Sequence, residues 1–116
     1  MEKIVEQGLL YDFYGELLTQ HQRQIYEAAV YDDMSLTEIA DEHGISKQGV
    51  HDLIKRCTRT LQGYEDRLHM IRRFEAIKES AAELKRVSEG GMDVSNDELK
   101  VKLCDISNRI LEELNS

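Results

Sequence analysis

Apolar residues recur at helical spacing along nearly the whole chain. Ile4, Val5, Leu9, Phe13 and Leu17 fall near one stripe and predict a first helix over 2–17. Thr19-Gln20-His21-Gln22 has the form of a capping box, opening a second helix that turns Ile25, Ala28 and Ala29 inward and ends near Tyr31. Asp32 and Asp33 are turn-formers, and Ser35-Leu36-Thr37-Glu38 is a second capping box. From Cys57 the apolar positions run 57, 61, 64, 68 and 71, then 74, 77, 81, 84 and 87. Their alternating steps of four and three at the start are the seam of a coiled coil or of one long packed helix. Ser88-Glu89-Gly90-Gly91 ends that run, with Gly90 suited to a left-handed C-terminal position. Ser95-x-x-Glu98 then caps a last helix whose stripe is Leu99, Leu103, Ile106, Ile110 and Leu114. That stripe needs a cover, either the 60–88 helix in an intramolecular hairpin or a second copy of the chain. Two long seams on so small a body favour a homodimer, and the hairpin stays open as the alternative.

Between the second capping box and the seam, Leu36 to Arg56 has helix-turn-helix spacing. Ile39 and Ala40 lie on a short first helix, where Ala40 is small enough to let a second helix cross close by. Gly44 takes the turn, which needs a positive φ and no side chain. Ile45 plugs the turn into the core, and Ser46 caps the second helix by accepting from the N–H of Gln48 or Gly49. Val50 and Leu53 face inward. Lys47, Gln48, His51, Asp52, Lys55, Arg56 and Arg59 are left outward, mostly side chains able to reach base edges or phosphates. His43 stands where Leu is more usual, so that contact is weaker or partly solvated. The plainer alternative is an αα-corner whose second helix is merely solvated. The fold expected is all-α: a helix-turn-helix domain over 1–61, followed over 62–116 by a long helix and a C-terminal helix that form an arm suited to dimerisation.

Composition agrees with a helical protein: the 116 residues include no Pro and only 7 Gly. No apolar run approaches the roughly 20 residues that cross a bilayer, so a cytoplasmic protein without membrane insertion is expected. Cys57 and Cys104 both fall on apolar-face positions and are expected to be buried, reduced thiols. His21, His43, His51 and His69 form no ligand cluster, and Asp32-Asp33 is a turn before it is a metal site. With no phosphate loop, nucleophile elbow or desolvated carboxylate pair, neither an enzyme nor a cofactor is expected. Phe13, Tyr14 and Tyr64 fall on apolar stripes and are core or dimer aromatics, not base-stacking platforms.

The net charge of −8 opposes general affinity for nucleic acid. Its distribution opposes that conclusion. Residues 1–45 hold 2 basic and 10 acidic side chains, 46–88 hold 10 and 6, and 89–116 hold 3 and 7. Positive charge is thus confined to the second motif helix and the helix after it, a basic stripe on an acidic body.

Extended outward, the motif resembles known families. Leu17-Leu18-Thr19-x-x-Gln22-Arg23-Gln24-Ile25, followed by Tyr31-Asp32-Asp33-Met34-Ser35-Leu36-x-Glu38-Ile39-Ala40, is similar to the fourth region of bacterial sigma factors. Leu10-Tyr11-Asp12-Phe13-Tyr14-x-x-Leu17-Leu18-Thr19, with Tyr64-Glu65-x-x-Leu68, resembles the YlxM family of small bacterial proteins. The likeness covers residues 9 to about 75, and nothing is matched over 88–116. It implies a wingless, dimeric helix-turn-helix protein without catalytic activity, accessory to or regulating the signal recognition particle pathway. DNA, the particle's RNA or its GTPase are the partners it implies. It makes Lys47, Gln48, His51, Asp52 and Lys55 the groove-facing positions and Arg56 and Arg59 the backbone contacts. Two positions depart from sigma-like recognition helices. Lys47 replaces a common Arg and reads guanine less sharply, and Asp52 repels phosphate at mid-face.

Overall fold

The computed structural model describes residues 3–90 and 95–115. Every regular element among them is helical: α1 (Lys3–Tyr14), a 3-10 turn (Gly15–Leu17), α2 (Gln20–Val30), α3 (Leu36–His43), α4 (Lys47–Leu68), α5 (Met70–Ser88) and α6 (Asn96–Asn115). The chain divides into two compact units, Met1–His69 and Met70–Ser116.

Helix starts in the first unit are set by local chemistry. The Thr19 hydroxyl accepts from the N–H of Gln22 at 3.2 Å, and the Gln22 side chain accepts in return from the N–H of Thr19 at 2.9 Å. Ser35 and Glu38 make the same reciprocal pair at 3.1 and 3.3 Å. Each box satisfies amide groups that the first helical turn leaves without a partner. Ser46 caps α4 by accepting from the N–H of Gly49 at 2.9 Å. Gly44, at φ 66° and ψ 31°, is left-handed and ends α3, and the N–H of Ile45 reaches back to the Ala40 carbonyl at 3.1 Å. The tight turn brings α4 across α3 at Ala40. Ile25, Ala28, Ile39, Ala40 and Val50 form the buried centre, with Met34, Leu36, Ile45, Leu53 and Ile54 packed around it. Each fully buried aliphatic side chain there contributes about 1.5–3 kcal/mol.

The face that α1 buries differs from the expected one. The helix ends at Tyr14, and Leu10 and Tyr14 are its buried residues. Ile4, Val5 and Leu17 are about half exposed. Both stripes satisfy helical spacing. The observed one is chosen because it presents hydrogen-bonding groups, Gln7 and Tyr14, to partners on α4: Gln7 Nε2 donates to Thr58 Oγ1 at 3.3 Å and Tyr14 OH to Glu65 Oε1 at 2.6 Å.

The seam expected to run unbroken from 57 to 87 is cut in two. His69 is left-handed (φ 55°), its N–H closing α4 on the Glu65 carbonyl at 2.8 Å. His is among the few side chains enriched in that conformation, and apolar spacing carries no record of it. The first unit therefore runs to His69, beyond the boundary at 61 read from the sequence. In the second unit α5 and α6 pack on each other, so the last helix has an intramolecular cover. Ser80, Val87 and Ile106 are buried, whereas Phe74 and Leu84 of the expected seam are exposed. Arg109 of α6 donates to Glu83 of α5 at 2.7 Å and lies 3.4 Å from Asp105. That hydrogen bond holds the Glu83 carboxyl below its ordinary pKa. Ser95 caps α6 by accepting from the N–H of Glu98 at 3.3 Å, and Gly90 is left-handed (φ 71°), as expected. Gly91 lies outside the described residues.

The two thiols part company. Cys57 is buried, and burial pushes its thiol pKa up. Cys104 is exposed, against expectation, because the buried face of α6 centres on Ile106.

Three outcomes are expected. Gly44→Ala places a Cβ in left-handed backbone and lowers stability in urea unfolding by about 1–2 kcal/mol, although no atom lies within 4 Å of that Cβ. Gly63→Ala, at a helical position with equally open surroundings, raises stability by about 0.5–1 kcal/mol. In a thiol-titration experiment on folded protein, Cys104 reacts promptly and Cys57 only on unfolding.

Candidate nucleic-acid interface

The seven outward positions of the motif all lie on α4 and are all exposed: Lys47, Gln48, His51, Asp52, Lys55, Arg56 and Arg59. At 3.6 residues per turn they occupy one half of the helix cylinder. Val50, Cys57 and Leu61 occupy the other half and are buried. The amphipathic division follows from the sequence directly, since the apolar positions step by three and four.

Within that face the side chains are partly bound to one another. Gln48 Nε2 donates to Asp52 Oδ1 at 3.0 Å, and His51 Nδ1 lies 3.6 Å from the same oxygen. Asp52, Lys55, Arg56 and Arg59 line a shallow hollow of about 330 Å³. Lys47 stands in the first turn, outside that hollow. Asp52 is thus engaged by Gln48 from one turn back, which draws the amide away from any base it would read. On α3 the exposed side chains include Glu38, Asp41 and Glu42, so the helix preceding α4 carries negative charge.

A second feature was not legible in the motif. Lys3 and Gln7 of α1, together with His51, Ile54, Lys55, Thr58, Arg59, Gln62, Gly63 and Asp66 of α4, line a groove of about 700 Å³. Beneath it the Thr58 hydroxyl donates to the Ile54 carbonyl at 2.9 Å, accepts from Gln7, and shares a 2.9 Å hydrogen bond with Tyr26 OH. Burial raises the pKa of the Tyr26 phenol. At the far end Gln62 Nε2 donates to Asp66 at 2.9 Å. The only signal in the sequence was polar residues, Gln7 and Thr58, standing at inward positions of apolar helices.

The aromatics stand apart from the basic face. Tyr14 is buried with its ring centroid 6.0 Å from that of Tyr64. Tyr11 stacks on Tyr26 at 5.7 Å and donates to Glu27, while Arg23 Nε donates to Tyr11 OH at 3.3 Å. His43, half-buried in the slot that commonly takes Leu, meets His21 edge-on at 5.9 Å. Among the described residues no group of three or more His, Cys, Asp or Glu is placed to hold a metal, and no helix is long and apolar enough to cross a membrane.

A family model described as "UPF0122: Putative helix-turn-helix protein, YlxM / p13 like" matches residues 1–101. A UPF0122 protein of Thermoanaerobacter sp. (strain X514) is 38% identical over 107 residues, covering 92% of each chain. One from Bacillus thuringiensis (strain Al Hakam) is 40% identical over 100 residues, 86% of this chain and 90% of the relative. Another from Shouchella clausii (strain KSM-K16) is 40% identical over 86 residues, 74% and 79% of the two chains.

The hydroxyl junction beneath the groove yields a quantitative expectation. Thr58→Val keeps shape and removes the shared partner of Gln7 and Tyr26, costing about 1–3 kcal/mol in urea unfolding. Tyr26→Phe in the Thr58→Val background costs less than it does in the native chain, and a double-mutant cycle measures the difference.

Proposed function

The chain belongs to UPF0122, the YlxM/p13-like helix-turn-helix family, and from that membership we propose that it is a DNA-binding regulatory protein, acting in the signal recognition particle pathway. The observation that carries this reading is the half-cylinder of α4 from Lys47 to Arg59, exposed along its length and ordered by a capped N-terminus. In helix-turn-helix docking the first turns of the recognition helix meet base edges. Lys47, Gln48 and His51 hold those positions, while Arg56 and Arg59 serve the phosphates; Lys55, groove-facing by the family resemblance, is reassigned to the phosphates because it shares one hollow with both arginines. Gln48 must release Asp52 to form a bidentate contact with adenine, so base discrimination is modest and phosphate attraction dominates. The pathway rests on the likeness of Leu10–Thr19 and Tyr64–Leu68 to the YlxM pattern. The role is one of binding in the cytoplasm, with no catalytic step and no cofactor. Exposed Val101, Leu111 and Leu114 on α6 support pairing with a second copy.

A second reading has its own observation. In duplex docking the helix before the recognition helix crosses the backbone, and here that helix exposes Glu38, Asp41 and Glu42. Their repulsion of phosphate favours an accessory subunit that binds the particle's RNA or its GTPase and reads no DNA sequence.

Fluorescence anisotropy at two salt concentrations separates these readings, with mixed duplex DNA, signal recognition particle RNA and the particle's GTPase as probes. DNA binding through Lys55, Arg56 and Arg59 gives a slope of log affinity against log salt near −3, at about −0.9 per phosphate contact. Lys55→Glu then weakens binding about tenfold or more, roughly 1.4 kcal/mol. Binding confined to the RNA or the GTPase establishes the second reading. Affinity for every probe unchanged by Lys55→Glu and Arg56→Glu overturns both.

A further inference from the structure

We propose that the groove between α1 and α4 is a second part of the nucleic-acid site, a channel for the phosphodiester backbone of the strand that α4 engages. It rests on the α4 reading above and extends it to residues outside the helix-turn-helix. Two hydrogen bonds set the register. Gln7 meets Thr58 and Tyr14 meets Glu65, both pairs 51 residues apart, so α1 runs beside α4 in the same direction. Lys3, one turn before Gln7, is therefore level with the turn of α4 that carries His51 and Lys55. Lys3, Lys55 and Arg59 line one continuous groove. Among the described residues none of these three cations has a carboxylate within ion-pair distance. Arg109, on the second unit, is by contrast paired twice. Unpaired cations converging on a groove are complementary to a line of phosphates.

Gly63 supplies an independent argument. A glycine inside a helix weakens it, so a reason is expected within the molecule or outside it. For Gly49 the reason is internal, since a Cβ there would lie 3.0 Å from the capping Ser46 oxygen. Around Gly63 a Cβ would meet nothing within 4 Å, yet the residue lines the groove. The space that Gly63 leaves clear is space for a ligand to approach the helix backbone.

The groove's own chemistry selects the class of ligand. Its volume lies within the range of small-ligand sites. The Thr58 hydroxyl is already engaged by three partners, and Ile54 is apolar, so the floor offers few free groups for reading a base. Asp66 at the other end repels phosphate, and the backbone leaves the channel before that turn. The contact is therefore to phosphate and sugar, independent of sequence.

Anisotropy with labelled mixed-sequence duplex DNA tests the channel, using the full chain and three variants whose folding is checked by thermal melting. Lys3→Gln lowers the magnitude of the salt slope by about 1. Gly63→Leu, which adds bulk to the groove without a charge, weakens binding at every salt concentration and leaves the slope unchanged. Arg56→Glu, on the exposed face of α4 and outside the groove, reports on α4 itself. Native binding by both Lys3→Gln and Gly63→Leu, with binding lost in Arg56→Glu, overturns the channel and leaves the α4 reading in place. Native binding by all three variants, or no binding by the parent chain, overturns both.

Discussion

The placement of α4 depends on one hydroxyl. Thr58 bonds its own helix through the Ile54 carbonyl, α2 through Tyr26 and α1 through Gln7. The buried apolar residues of α1 and α4, Leu10, Cys57 and Leu61, exert no directional force. A hydrophobic seam tolerates sliding, and a hydrogen bond does not. A fully satisfied polar junction at this half-buried position fixes one register among several that apolar packing would accept. Had α1 slipped by a residue, Gln7 would face away from α4 and the Tyr14–Glu65 bond would be lost with it.

That register is what gives the first unit a continuous basic edge. Gly44 and Ala40 allow α4 to cross α3 closely, which leaves the outer half of its first four turns in solvent. The same α4 continues past the motif to Leu68 and offers α1 a bed to lie on. One helix thus carries an exposed polar and basic face at its beginning and serves as structural spine at its end. The Ser46 cap and the buried Val50 hold the first part in place, and Cys57, Leu61 and the tyrosine network hold the second.

Much of this was legible in the residues because the determinants are local. Thr19, Ser35 and Ser46 cap helices through groups three residues away, and Gly44 reports its own backbone. The seven outward residues of α4 follow from helical periodicity alone. What periodicity could not decide is which of two equally spaced stripes a helix buries. On α1 the choice went to Gln7, Leu10 and Tyr14, because partners on α4 decide it; Ile4 and Val5 stayed exposed, as did Leu17 in the 3-10 turn beyond the helix. On α6 the stripe is Leu99, Leu103, Ile106 and Ile110, and neither Cys104 nor Leu114 belongs to it. His69 broke a seam that reads as continuous, since its signal lies in φ and not in hydropathy. The groove was invisible for a related reason: Lys3 and Lys55 become neighbours only when segments some fifty residues apart are brought into register.

The uneven charge of the first unit has a consequence for encounter. With 10 acidic and 2 basic side chains in residues 1–45, and Lys55, Arg56 and Arg59 gathered on α4, the unit carries a permanent electric dipole. In the field of a polyanion such a body experiences torque before it touches anything, within about a Debye length of 8–10 Å at physiological ionic strength. Approaches led by α2 or α3 are slowed and those led by α4, with Lys3 beside it, are accelerated. Its acidic faces thus act as a filter on orientation, shortening futile collisions and confining productive ones to a single side of the molecule.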